Sequence, residues 1–266
     1  MVEDMAKKQR FTDFHTLSHR GLQRPNNEDR VQVKPLPAVN GKTAILAVLA
    51  DGVGGHQAGE VASRIAVETI SAEITRTHPA PDARSQLDQA IQAANRAILA
   101  DIQANPERAG MGTTCVCALI IGRTLYAAHL GDSRLYFQRG HSLQRLTRDH
   151  TMQEELISMM GSGSQETTRS HPMAHVLTRY LGAPHDVDVD HQLFDGKDGT
   201  SDKRKLRAND ILLLCSDGIS DLVSDEEIEH ILTACNGRKR AQTLVIRALE
   251  NGGHDNATVA VLQIPS

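Results

Sequence analysis

Residues 113–138 read TTCVCALIIGRTLYAAHLGDSRLYFQ. Three short apolar runs, 113–121, 124–130 and 133–138, are separated by Gly122-Arg123 and Gly131-Asp132 and closed by Arg139-Gly140. Breaks this short join antiparallel strands, because a parallel crossover needs a dozen or more residues. The spacing therefore predicts a hairpin or meander, and antiparallel sheets in place of repeated β-α-β units. Cys115 and Cys117 are two apart, so they share one strand face.

Upstream, AILAVLA at 44–50 is a continuous apolar run that reads as a buried strand, and it stops at DGVGGHQAGE, 51–60. Two long helices follow, from about Ala58 to Arg76 and from about Ala83 to Ala104, with Asp82 as N-cap and Pro106 beyond the end. Residues 11–34 read as short strand-like pieces around a polar turn, Arg24 to Asn27, and residues 1–10 as a flexible lead-in. Downstream, 151–180 looks helical at both ends, with the insertion-like GSGSQETTRSHP between them, and 195–205, DGKDGTSDKRK, reads as a surface loop. Residues 206–215 form another buried strand. Ser224 with Glu227 makes a capping box that starts a helix reaching Asn236-Gly237, and another helix covers about 239–250. The last strand is Ala257 to Ile264. This order predicts an α+β fold in which helices cover antiparallel sheets as separate layers.

Composition narrows the function. Of 266 residues 39% are apolar but only 3% aromatic, with no Trp, so the core is aliphatic and stacking platforms for single-stranded nucleic acid are disfavoured. A net charge of -4 argues against a protein built to hold a polyanion. The four cysteines form no C-x-x-C and read as reduced core thiols, which fits a cytoplasmic location. No apolar signal region opens the chain and no window approaches a membrane span. We expect a monomer with neither nucleic-acid nor membrane partners.

The chemistry lies in five acidic positions. Asp51 ends the most apolar strand and is followed by Gly52, Gly54 and Gly55. A carboxylate at the end of a buried strand is expensive unless paired. The glycines let the backbone come close and offer a carbonyl, which with a carboxylate suits a hard cation. Asp217 repeats the pattern after ILLLCS and before Gly218. Asp255 precedes the final strand, Asp132 sits in LGDSR, and Asp29 in NNEDR. Gathered at one sheet edge, such groups would repel each other unless divalent cations neutralised them. Oxygen donors without consistent His or Cys point to Mg²⁺ or Mn²⁺ over zinc. Two such ions can activate water and clamp phosphoryl oxygens. Arg24, four residues before Glu28, can offer phosphate a bidentate fork, and Glu28 can hold a metal-bound water. No G-x-G-x-x-G, Walker lysine, H-E-x-x-H or G-x-S-x-G is present, so Ser133 and Ser216 read as structural. His56 is the histidine expected nearest the site.

In order along the chain stand SHRGLQRPNNEDR (18–30), LADGVGGHQAGE (49–60), MGTT (111–114), HLGDSRLY (129–136), RDH (148–150), HPMAHVLTRYLG (171–182), LLLCSDGISDLVSDEEI (212–228) and HDNATVAV (254–261). Together they resemble the metal-dependent serine/threonine phosphatases of the PPM, or PP2C-like, family in its compact bacterial form. The resemblance implies a four-layer αββα sandwich, two central antiparallel β-sheets flanked by helix pairs, as one domain over 11–266 with a mobile flap at about 150–172. It implies that Asp51 bridges two Mn²⁺ or Mg²⁺ ions, with Gly52 ligating one through its carbonyl and Asp217 and Asp255 the other. Glu28 and Asp29 would act mainly through metal-bound water, Asp132 would hold a third, weaker ion with Asp217, and Arg24 would bind phosphate. Met111 to Thr114 and Asn256 would support the site. Water bridging the two ions would attack phosphorus directly in phosphorylated protein substrates, countering a serine/threonine kinase. Val53 stands where animal relatives carry a proposed acid histidine. Readings left open are a stress- or secretion-pathway phosphatase, a small-phosphoester hydrolase, and a non-catalytic module.

Overall fold

A computed structural model describes residues 13–54, 58–77, 82–160, 168, 173–194 and 199–266. The lead-in 1–10, His56, most of 161–172 and residues 195–198 lie outside that set.

One sheet has the order β1 (Asp13–His19), β13 (Ala257–Gln263), β12 (Ile211–Cys215), β7 (Arg134–Arg139) and β8 (Ser142–Arg145). The other runs β11 (Arg204–Lys205), β6 (Thr124–Leu130), β5 (Cys115–Ile121), β3 (Lys42–Val53) and β2 (Asp29–Val39), with β4 (Gly112–Thr113) paired to the end of β3. The short strands β9 (Leu193–Phe194) and β10 (Thr200–Ser201) form a separate two-stranded sheet. Every strand pairing among the described residues is antiparallel.

The period-two pattern builds the layers. Along β3, Ile45, Ala47 and Leu49 face the other sheet, where they meet Leu212, Leu214, Ala260 and Leu262. Leu46, Val48 and Ala50 face α1 (Ala58–Thr77) and α2 (Ala83–Ala104), against Ala62, Ala66, Ile70, Ile91 and Ile98. On the outer face of the first sheet, Leu213, Cys215, Val259 and Val261 pack on Ile228 and Leu232 of α5 (Asp225–Ala234) and Leu244 and Val245 of α6 (Arg238–Glu250). The result is the αββα sandwich. Runs buried on both faces explain why β3, β5 and β12 read as continuously apolar.

The caps form as expected. Asp82 accepts from the Ser85 N–H, and Ser224 and Glu227 cap reciprocally. Cys115 and Cys117 share the helix-facing side, their Sγ atoms 3.4 Å apart.

Four expectations change, the simplest being that the strand read over 206–215 covers only Ile211–Cys215. β5 and β6 form a hairpin, but the chain leaves the sheet after Leu130 and β7 pairs with β12 and β8 in the other one. Gly131-Asp132 is thus a crossing between layers, where a meander was expected. Residues 152–160 form helix α3, but 173–180 are not helical; their backbone pairs with 150–153, through Met152 N to Val176 O and Thr178 N to His150 O. Those peptide groups are already committed and cannot serve a helix. The 195–205 segment is a loop only in part, because Thr200–Ser201 and Arg204–Lys205 add strand pairs.

Candidate metal centre

Strand register brings the acidic residues together. Asp29 opens β2 directly opposite Asp51 near the end of β3. The Asp51 carbonyl accepts from Thr113 Oγ1 (2.8 Å) and the Thr114 N–H (2.9 Å), and its own N–H donates to Thr114 Oγ1 (2.9 Å). Asp217 follows β12 as the first residue of the short helix α4 (Asp217–Ser220), and Asp255 lies two residues before β13. Asp132 enters from the crossing between sheets. A cavity of about 290 Å³ is lined by Arg24, Glu28, Asp51, Gly52, Asp132, Asp217 and Asp255, and also by Val53, Thr114, His175, Leu177 and Asn256. Asp29 lies behind it, 4% exposed, accepting from Ser216 Oγ at 2.8 Å.

Two glycines permit this convergence by close approach. A Cβ on Gly52 would stand 2.1 Å from the Gly59 carbonyl oxygen, and one on Gly218 2.0 Å from that of Asn256. Both obstacles are backbone and cannot swing away. Gly52→Ala is therefore expected to destabilise the protein by about 1–3 kcal/mol, as overpacking does, read as a lowered melting temperature. An unchanged melting curve would show that the loop has room the structure does not.

Asn256 ties the loops together. Its Oδ1 accepts from the Glu28 N–H (2.7 Å), and its Nδ2 donates to the carbonyls of Arg20 and Asn26 (2.9 Å each). The Glu28 carbonyl accepts from Gly52 N and Ser63 Oγ. Ser133 and Ser216 are structural: Ser133 Oγ pairs with Thr114 Oγ1 at 2.7 Å, and Ser216 bonds Asp29 and the Thr258 N–H.

The electrostatics are those of a site built for cations. Burial first, then repulsion from Asp29, Asp217 and Asp132, pushes Asp51 well above the usual carboxylate range. Burial and the neighbouring Asp217 also push Asp132 well up. Burial raises Asp29 to about 7, against the pull of its Thr258 and Ser216 hydrogen bonds. Asp217 rises to about 6 through burial and the charges of Asp255 and Asp221. Asp51 and Asp217 keep some solvent contact, which tempers the repulsion without reversing it. Asp29 Oδ1 and Asp217 Oδ1 are buried without a hydrogen-bond partner among the described residues. Orphaned oxygens in an all-oxygen cluster are the donor set a hard divalent cation requires. Arg24, half exposed on the rim, donates to Asp255 Oδ2 at 2.6 Å. That carboxylate outweighs partial burial and holds the guanidinium above its ordinary value.

A separate group stands behind the Asp132 crossing. The donor atoms of His129, His150 and Asp190 lie within 4.8 Å of one another, close enough to hold a metal ion. Sequence reasoning did not find Asp190, because nothing local marks it; it reaches His129 through a bridge between distant segments. His175 and Leu177 were also missed as cavity residues, since their segment read as a helix end.

Residues 17–251 match the family Protein phosphatase 2C, and the chain belongs to that family. It is similar to the serine/threonine protein phosphatase PstP of Mycobacterium tuberculosis, 38% identical over 260 residues, 98% of this chain but only 46% of PstP. The chain thus spans about half the length of that relative. It is also 34% identical to the serine/threonine phosphatase Stp of Listeria monocytogenes over 248 residues, 92% of each chain. The solved catalytic domain of PstP in complex with 2 manganese ions superposes with a TM-score of 0.78 at 36% identity, covering 96% of this chain and 99% of that one. No helix among the described residues is long and apolar enough to cross a membrane.

Proposed function

We propose that the chain hydrolyses phosphoserine and phosphothreonine in proteins, using Mn²⁺ or Mg²⁺ held by Asp51, Asp217, Asp255 and the Gly52 carbonyl. Glu28 and Asp29 act mainly through metal-bound water, Glu28 from the cavity wall and Asp29 from behind it, and Asp132 with Asp217 takes a third, weaker ion. The carrying observation is the convergence of Asp51, Asp132, Asp217 and Asp255, from separate strand ends, on one cavity with Arg24 at its rim. The likeness to the manganese-bound PstP domain supports the same reading. In this reading residues 11–266 are one phosphatase domain and 150–172 its flap. The substrates are phosphorylated proteins of a serine/threonine kinase pathway.

Bound divalent cations supply a nucleophilic water at neutral pH and neutralise charge on the phosphoryl oxygens. The chain supplies the rest. Arg24, at the cavity rim, takes a phosphate oxygen through its two-pronged guanidinium. Thr113 and Thr114 fix the Asp51 backbone, and Asn256 holds the Arg24-to-Glu28 turn against the Asp255 loop.

The test is hydrolysis of a phosphothreonine peptide with Mn²⁺ and with excess EDTA. Mn²⁺-dependent release of phosphate is expected, and full activity in EDTA would overturn the proposal. Hydrolysis of p-nitrophenyl phosphate without the peptide would favour a small-phosphoester hydrolase. Arg24→Ala is expected to lower kcat/KM for the peptide roughly ten- to hundredfold, the loss of one charge-assisted contact. The fall should lie mainly in KM; wild-type kinetics would remove Arg24 from phosphate binding.

A further inference from the structure

His150 meets the Asp132 crossing from behind. Its backbone N–H donates to the Gly131 carbonyl (3.0 Å), and its ring Nδ1 accepts from the Gly131 N–H (3.2 Å). Both polar groups of Gly131 are thus held by one residue. On the other side, a Cβ on Gly131, whose φ is +94°, would meet the Thr114 side chain at 2.6 Å, and Thr114 Oγ1 pairs with Ser133 Oγ. The peptide that carries Asp132 is clamped between these contacts. His150 also accepts the Thr178 N–H on its carbonyl, so the clamp extends to the segment after the flap.

The ring itself is fixed. It stacks on His129, 4.6 Å between centroids and 11° from parallel, and its Nε2 faces Asp190 Oδ2 at 3.6 Å. Asp190 is anchored by backbone bonds in both directions to His129 and accepts the Gln192 N–H on Oδ1. Because Nδ1 accepts from Gly131, the neutral ring carries its proton on Nε2, toward the carboxylate. The carboxylate is ionised at every physiological pH, since its hydrogen bonds outweigh burial and hold it down at about 2. His129 uses Nε2 on the Arg148 carbonyl at 2.8 Å. With the rings parallel and His150 Nδ1 engaged, cation binding by this trio would mean releasing the Gly131 N–H. The hydrogen bonds favour orientation over coordination.

We infer that the His150 ring, oriented by Asp190, makes His150 a positioning residue: it holds the Gly131 N–H, and so fixes the turn that aims Asp132 into the metal cluster. The inference rests on the metal role proposed for Asp132. The test uses the geometric difference between two amides: Asn places its oxygen near His Nδ1, whereas Gln places it near Nε2. Hydrogen–deuterium exchange of the segment spanning Gly131 is measured on metal-free protein, alongside the Mn²⁺ concentration for half-maximal peptide hydrolysis. His150→Gln should speed exchange and raise the Mn²⁺ requirement about tenfold, the usual scale for losing an outer-shell partner. His150→Asn should restore both toward wild type. Asp190→Asn, which leaves the ring in place, should move both readouts in the His150→Gln direction by less. Wild-type exchange in His150→Gln, or equal damage in His150→Asn and His150→Gln, overturns the inference, the latter assigning the role to ring packing. A wild-type enzyme with no response to Mn²⁺ would instead overturn the reading of Asp132, while the exchange measurement still judges His150.

Discussion

Asp51→Asn should abolish most phosphatase activity and yet make the metal-free protein more stable. The two effects share one cause. Asp51 is pushed well above the ordinary carboxylate range by burial and by the charges of Asp29, Asp217 and Asp132, so in the absence of cations it is ionised only at a cost. Asparagine keeps the volume and all the backbone bonds to Thr113 and Thr114 while removing that charge. It also removes the carboxylate proposed to bridge two ions. Activity with saturating Mn²⁺ is expected to fall by more than about a hundredfold, beyond the loss typical of an outer-shell partner. In EDTA the melting temperature should rise, by about 2–4 °C for each kcal/mol of repulsion relieved in a chain of this size. The measurements are steady-state phosphopeptide hydrolysis and thermal melting in EDTA. A variant that is active, or that melts lower in EDTA, would contradict the assignment of Asp51 as the centre of the cluster.

Much of this was legible because it is local or periodic. The continuous apolar runs at 44–50 and 113–121, the Asp82 cap and the Ser224–Glu227 box are set by residues within a few positions of one another, and they fold as read. Asp51 and Asp217 were legible as chemistry, since each is an aspartate followed by glycine after a buried apolar strand, where an unpaired charge is costly. Their meeting at one edge was legible only through the resemblance to the phosphatases, because register among distant strands is invisible to a local window. The same blindness produced the errors. Gly131-Asp132 has the composition of a tight hairpin turn; only the pairing of β7 with β12 makes it a crossing. Residues 173–180 read as the end of a helix, but their peptides are claimed by 150–153. Asp190 lies far along the chain from His150 and becomes its partner through the bridge to His129. Arg24, expected at phosphate, here rests on Asp255, the nearest anion offered by the chain itself.

Chelated and metal-loaded protein should respond to acid in opposite directions. In EDTA, lowering the pH from 8 to about 6.5 is expected to raise the melting temperature. Asp29 titrates at about 7 in the fold against an ordinary 3.8, and Asp51 and Asp132 are also raised. A group with a raised folded pKa gives stability that is complete below its unfolded value and lost as pH rises through the folded one. Acidification therefore returns stability as these carboxylates take up protons, with Asp217, at about 6, following. Below pH 6.5 the gain should continue more slowly, because the raised carboxylates outnumber the groups that now oppose them. There His129, held neutral by burial and lowered from 6.5 to about 4, acts with the opposite sign: its stability is present above the unfolded value and is lost as pH falls. His191, also lowered by burial, erodes stability in the same direction. With Mn²⁺ the carboxylates are held ionised by the cations, so protons compete with metal and the same acidification lowers the melting temperature. At pH 8 the separation between the two curves should be large, because an ion at a hundred times its dissociation constant stabilises the fold by about 2.7 kcal/mol. Melting curves at intervals from pH 8 to 5, with EDTA and with Mn²⁺, decide the matter. Parallel profiles would mean that the carboxylates do not form a cation site, because only ligands shared by protons and metal make the two curves converge in acid.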